Sequence, residues 1–133
     1  MGLAATKGFA YALKIPLISV GTLNAMARTA ILQQKKAENF LYCPLIDARR
    51  MEVYTALYNA ESDEVTPAHA VVLEPSSFVK ELDLNKIFFF GSGAEKWEKI
   101  CNHPNAYFTT AREIFHSVNL IGYEKFIQKK FDD

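Results

Sequence analysis

Hydrophobic positions along the chain switch between a spacing near 3.6 residues and a spacing of two, and each switch marks an element. Gly2 to Lys14 reads as a helix: Ala4, Gly8 and Ala12 fall at i, i+4, i+8 as a smooth stripe, with Leu3, Ala10 and Leu13 beside it. Glycine inside a helix costs about 1 kcal/mol relative to alanine, so Gly8 implies close approach of another backbone. Ile15 to Val20 is a short apolar strand that Pro16 assigns to an edge or a strand start. Thr22 is placed to cap the next helix, in which Leu23, Met26, Ala27, Ala30 and Ile31 form one apolar face. That helix fades into Gln33-Gln34-Lys35-Lys36, where the cations suit the C-terminal dipole.

The pattern then changes to strands. Phe40 to Ile46 is apolar on both faces, as in a strand buried within a sheet. Met51 to Tyr58 alternates, with Val53, Thr55 and Leu57 on one face and Glu52, Tyr54 and Tyr58 on the other. So short a separation predicts an antiparallel hairpin, and its corner residues Ala48, Arg49 and Arg50 are expected in right-handed dihedrals. After the polar loop NAESDEVTP, Ala68 to Leu73 supplies a third strand, and Pro75 to Leu82 a short helix. Ile87 to Phe90 is a strand covered on both faces, followed by the turn GSGA and the helix AEKWEKIC. Thr110 with Glu113 forms a capping box for a terminal helix carrying Ile114, Phe115 and Val118, which Gly122 is placed to interrupt. Strands alternating with helices, plus one hairpin, predict an α/β protein with a mixed sheet. The abrupt start and stop read as a piece of a larger architecture.

Composition adds limits. The chain has 133 residues, half of them hydrophobic, and zero formal net charge, so bulk electrostatics favour neither nucleic acid nor membrane. No apolar run approaches the ~20 residues that span a bilayer, and the N-terminus lacks a signal-peptide layout. A cytoplasmic location follows, with Cys43 and Cys101 as reduced thiols.

Three constellations could carry chemistry. Gly91 and Gly93 in the GSGA turn could turn backbone N–H groups toward a phosphate or adenosine, although glycine often serves dihedral freedom alone. There is no P-loop. His69, His103 and His116 lack metal-site spacing, and no GxSxG elbow exists, so no catalytic residue and no metal ligand is assigned. Asp47, Arg49 and Arg50 read either as a salt-bridged corner, with Asp47 accepting turn N–H bonds, or as an anion-facing fork.

Three stretches, MGLAATKGFAYALKIPLISVGTLNAMA, LIDARRMEVYTALYNA and IFFFGSGAEKW, together resemble the TsaB (YeaZ-like) glycoprotease-like family, over nearly the whole chain. The resemblance implies the actin-like ATPase (ribonuclease H-like) fold, with residues 1–36 the remainder of a first lobe and its border, and 37–133 a second lobe with its terminal helix. It implies a non-catalytic scaffold in tRNA threonylcarbamoyladenosine biosynthesis, pairing with the TsaD transferase, with the ATPase TsaE joining and tRNA reached only through the complex. No cofactor is implied. Ala4, Gly8 and Ala12 match a pairing helix of that family. The family's opening sheet and closing segment are not in this sequence, so both ends read as truncated, and self-association as a homodimer is expected from the helix faces left bare. The metal-binding His-x-x-x-His of TsaD is also missing. A degenerate ATPase or small-molecule kinase of the same fold is the competing expectation.

Overall fold

The computed structural model describes residues 21–109 and 114–129 of the chain. The helix expected at Gly2–Lys14, the strand at Ile15–Val20 and the Thr110–Glu113 capping box lie outside them. Nine elements follow in order: α1 (Thr22–Gln33), β1 (Phe40–Asp47), β2 (Glu52–Tyr58), β3 (Glu64–Val72), α2 (Val79–Leu84), β4 (Lys86–Phe90), α3 (Ala94–Glu98), β5 (Ala106–Phe108) and α4 (Ile114–Ile127).

The strands form one five-stranded sheet in the order β3-β2-β1-β4-β5. β1 pairs antiparallel with β2 and parallel with β4, so the sheet is mixed about its central strand. β3 adds antiparallel to β2, and β5 adds parallel to β4. Because side chains alternate along a strand, each face collects its own core. On one face Tyr42, Ala56, Tyr58 and Phe90 pack under Leu23, Met26, Ala27, Ala30 and Ile31 of α1. On the other, Cys43, Leu45, Val53, Leu57, Ile87 and Phe89 pack with Leu82 of α2 and Trp97 of α3. The α1 face also carries a cross-strand aromatic row, Tyr58–Tyr42–Phe88–Tyr107, set by register across four strands.

α1 buries all five residues of the expected stripe and also Ala25 and Thr29. The wider burial reflects a second neighbour, α4, tied to it by a bidentate bond from Arg28 to the Glu124 carboxylate (2.5 and 3.2 Å). Gly21, and not Thr22, occupies the N-cap; Thr22 is already helical, and no side chain caps this end. At the other end Lys35 and Lys36 both take positive φ, and the Lys36 N–H returns to the Ile31 carbonyl to close the helix.

Several boundaries differ from expectation for physical reasons. β3 begins at Glu64, four residues earlier than expected, because the Asn59 side-chain oxygen accepts the Glu61 and Asp63 N–H groups and compresses the turn. β2 buries Tyr58 as well as Leu57, because α1 covers the face that alternation alone would leave to water. Pro75 lies in a turn and α2 starts only at Val79, after Phe78 adopts φ +61. That conformation puts the Phe78 ring against Phe89 and Trp97 (5.3 and 5.5 Å between centroids). α3 ends at Glu98, before Cys101, and β5 is a strand with no counterpart among the expected elements. Gly122 does not interrupt α4.

Pro44 sits in the central strand although it cannot donate to a ladder. The Thr55 hydroxyl from β2 donates to its carbonyl at 2.7 Å, replacing part of the backbone pairing. Trp97 is fully buried between Phe78 and Phe89. Trp97→Ala is therefore expected to destabilise the fold by about 3–5 kcal/mol, a loss that urea denaturation followed by circular dichroism measures directly.

Candidate functional site

The hairpin corner and the glycine turn, far apart in the sequence, are one place in the structure. β1 ends at Asp47, β2 begins at Glu52, and the corner closes with Ala48 N–H donating to the Glu52 carbonyl (3.0 Å) and Glu52 N–H to that of Arg49 (2.9 Å). The right-handed dihedrals expected here are not those observed: Arg49 has φ +80 and Arg50 φ +45. A residue with a side chain gives up roughly 1–2 kcal/mol in that region, and a tight hairpin imposes it because its twist must match the strands. Asp47 offsets part of the strain by accepting the Arg49 N–H at 3.2 Å, the role expected of it.

The corner's salt bridge is made by a residue that the sequence did not single out. The Lys96 ammonium, from α3, donates to Asp47 Oδ1 (2.5 Å) and to the carbonyls of Arg50 and Glu52 (both 2.7 Å). Its side chain is only 19% exposed. One cation thus fills the concave side of the turn, where three acceptors converge. Lys96 and the Arg49 N–H hold the Asp47 carboxyl below the usual carboxylate range. The Ser92 hydroxyl accepts the Asp47 N–H (2.9 Å), which joins the two motif blocks a second time.

The glycines serve the same junction. Gly93 N–H donates to the Leu45 carbonyl, and Ala94 N–H to that of Gly91. A Cβ on Gly93 would meet Val53 Cγ1 at 2.7 Å, and one on Gly91, whose φ is +107, would meet the Leu45 oxygen at 2.4 Å. Two of the turn's N–H groups are therefore engaged inside the fold, and both glycines permit contact with β1 and its neighbours. Beside the turn is an open hollow of about 360 Å³ lined by Gly91, Ala94, Glu95, Glu98, Phe108 and Thr109. Its two carboxylates make it a poor cradle for phosphate.

The histidines act locally. The His69 Nδ1–H donates to the Pro67 carbonyl (2.8 Å). His103 Nδ1 accepts the Asn105 N–H, so Nε2 carries the proton and donates to Asp83 (2.9 Å). Both its nitrogens are engaged, and with Asn105 it closes the end of α2, where the Leu82 carbonyl accepts the Asn105 amide. Among the described residues no three His, Cys, Asp or Glu side chains group to hold a metal. Ala4, Gly8 and Ala12 lie outside the described residues, as does the side chain of His116.

Comparison with known proteins places this geometry in a lineage. The family model of TsaD, described as tRNA N6-adenosine threonylcarbamoyltransferase, matches residues 1–112. The chain belongs to the TsaD family. Among solved structures it is similar to YeaZ from Pseudomonas aeruginosa, at 23% identity and a TM-score of 0.68 over 98% of this chain and 61% of that one. A second, described as an uncharacterized protein with similarity to peptidase YEAZ from Pseudomonas aeruginosa, aligns at 22% identity and a TM-score of 0.64, covering 97% and 60%. The chain thus spans about three fifths of the length of these structures. No curated protein matches it. The likeness shows the fold, the actin-like (ribonuclease H-like) α/β architecture expected of a YeaZ-like member of the TsaD family. No helix among the described residues is long and apolar enough to cross a membrane.

Two outcomes follow for this site. Lys96→Met should destabilise the fold by about 1–2 kcal/mol, because it leaves the Arg50 and Glu52 carbonyls without their donor, whereas the half-exposed Asp47 carboxylate returns to water. Asp47 has a depressed folded pKa, so its contribution is fully present above the ordinary carboxylate value near ~3.9 and is lost as pH falls through the folded one. In urea titrations the gap between wild type and Asp47→Asn should accordingly be constant near neutrality and close in strong acid.

Burial pushes the Cys43 thiol up to about 12. The Thr55 hydroxyl gives its one proton to Pro44, so the Cys43 S–H donates to Thr55 across 3.2 Å. Cys43 should therefore resist a thiol reagent at mildly alkaline pH until denaturant is added, while the half-exposed Cys101 reacts first. Mass mapping of the labelled peptides reads the order.

Proposed function

We propose that this chain is a non-catalytic subunit in the formation of threonylcarbamoyladenosine in tRNA, docking to a TsaD-like transferase with a TsaE-like ATPase as a further partner. The observation that carries the reading is that Asp47 of the hairpin block and the polar groups of the glycine turn and its helix are bonded to each other. Asp47, Ser92, Lys96 and the Gly93 N–H hold β1, β2 and α3 together. Membership of the TsaD family over residues 1–112 supports a role in that tRNA modification. The docking stripe of the proposal is Ala4, Gly8 and Ala12, whose small side chains suit close helix approach.

Co-expression with a TsaD-like protein tests it. The full chain should co-purify with that protein, and Gly8→Leu should abolish co-purification while the circular dichroism spectrum is retained. Failure of the unmodified chain to associate would sink the docking role.

The competing reading, a degenerate ATPase or kinase, is disfavoured by Glu95 and Glu98, whose carboxylates line the hollow beside Gly91 where a phosphate would have to sit. Measured ATP turnover by the isolated protein would select it over docking.

A further inference from the structure

The corner contains two side chains that its own closure does not use. Arg49 and Arg50 occupy backbone conformations that glycine or asparagine would adopt with less strain. Both are exposed. The turn is already closed by its two backbone bonds, by Asp47 and by the Lys96 ammonium, and no hydrogen bond or ion pair of the described residues engages either guanidinium. The turn holds two exposed acids: Lys96 pairs with Asp47, and Glu52 has no ion-pair partner among the described residues. Two cations are thus held at a rigid point without a side-chain partner among the described residues.

A third group gives that point its chemical character. Tyr54 lies on β2 just past the corner, opposite Ile46 in register, and is 45% exposed. Guanidinium groups take phosphate oxygens in bidentate fashion, and an exposed aromatic ring offers a face to a nucleobase. An acidic peptide would use the arginines and have no need of the ring. Zero net charge on the whole chain means that attraction for an anion must come from a local group of cations such as this pair.

We propose that Arg49, Arg50 and Tyr54 form a contact site for a single-stranded segment of RNA, the arginines taking backbone phosphates and the tyrosine stacking a base. This goes beyond the docking role, in which RNA reaches the subunit only through its partner, and either can fail while the other stands.

The test is fluorescence anisotropy of the full chain with a short labelled single-stranded RNA and with a duplex RNA, across a salt series. The variant that matters is Arg49→Gly/Arg50→Gly, since glycine suits both dihedrals. Its thermal stability should be kept or raised, while its affinity for the single strand falls about tenfold or more at low salt, and the slope of log K against log salt becomes shallower by about 0.7 per arginine removed. Tyr54→Ala should weaken binding about fivefold or more, and Tyr54→Phe should not. The proposal is overturned if the wild-type chain shows no salt-dependent binding, if it prefers the duplex, or if the double glycine variant binds like wild type. It is also overturned if that variant keeps its RNA affinity but no longer co-purifies with the TsaD-like protein, which would make the corner a protein contact.

Discussion

A tight hairpin turn whose backbone is left-handed at two successive residues points its carbonyls inward, and those carbonyls need a donor. Here the donor is the Lys96 ammonium, reaching across 49 residues of sequence to three oxygens at the end of β1 and the start of β2. Charge-assisted bonds are short and directional, so this contact fixes where α3 begins as well as how the hairpin ends. Once α3 is held there, the turn before it must run against Leu45, and only residues without a side chain fit at Gly91 and Gly93. The corner, the glycine turn and the placement of Trp97 in the core are consequences of one cation in one concave site.

β1 is the other half of that constraint. Being central, it must pair on both edges and be covered on both faces, yet it carries Pro44, which has no N–H to give. The Thr55 hydroxyl satisfies the Pro44 carbonyl at this break in the ladder, and the same oxygen receives the Cys43 thiol. Buried polar groups are tolerated when they satisfy one another, and this small network of carbonyl, hydroxyl and thiol does so without water. Cys43 is held as a protonated, buried hydrogen-bond donor, which is a structural use of a residue type that often signals chemistry.

The unbroken apolar runs of β1 and β4, the alternation in β2 and the spacing in α1 made the mixed sheet and its main helix readable in the sequence. These patterns record burial, which is local in sequence and periodic. What escaped was non-local or depended on dihedrals. Lys96 carries no distinguishing signal within AEKWEKI, because nothing near it in sequence reveals that α3 docks on the hairpin. Arg49 and Arg50 were expected in right-handed conformations because side-chain-bearing residues avoid the left-handed region, and the twist of the two strands overrode that preference. β5 escaped because three residues, Ala106 to Phe108, are too few to show a period. Phe78 escaped because its aromatic contacts depend on a backbone conformation that only the packed core stabilises. Of the candidate site, Asp47 was readable as a turn acceptor, while its true ionic partner was not.

Strain separates the two motif blocks as indicators of function. At Gly91 and Gly93 the unusual backbone and the close contacts are met by the residue that fits them, so the fold itself accounts for the sequence there. At Arg49 and Arg50 the backbone is just as unusual, and the residues are ones that fit it badly. The turn's bonds are made by main-chain atoms, Asp47 and Lys96, so the guanidinium groups add nothing to closure. When a local conformation disfavours a residue and no contact among the described residues repays it, the side chain is left available to a partner beyond them. A rigid, lysine-clamped corner is also a good mount for such groups, because what they bind would not have to order the backbone beneath them. The clamp and the exposed cations are therefore complementary: the first removes flexibility from the place where the second would meet an anion.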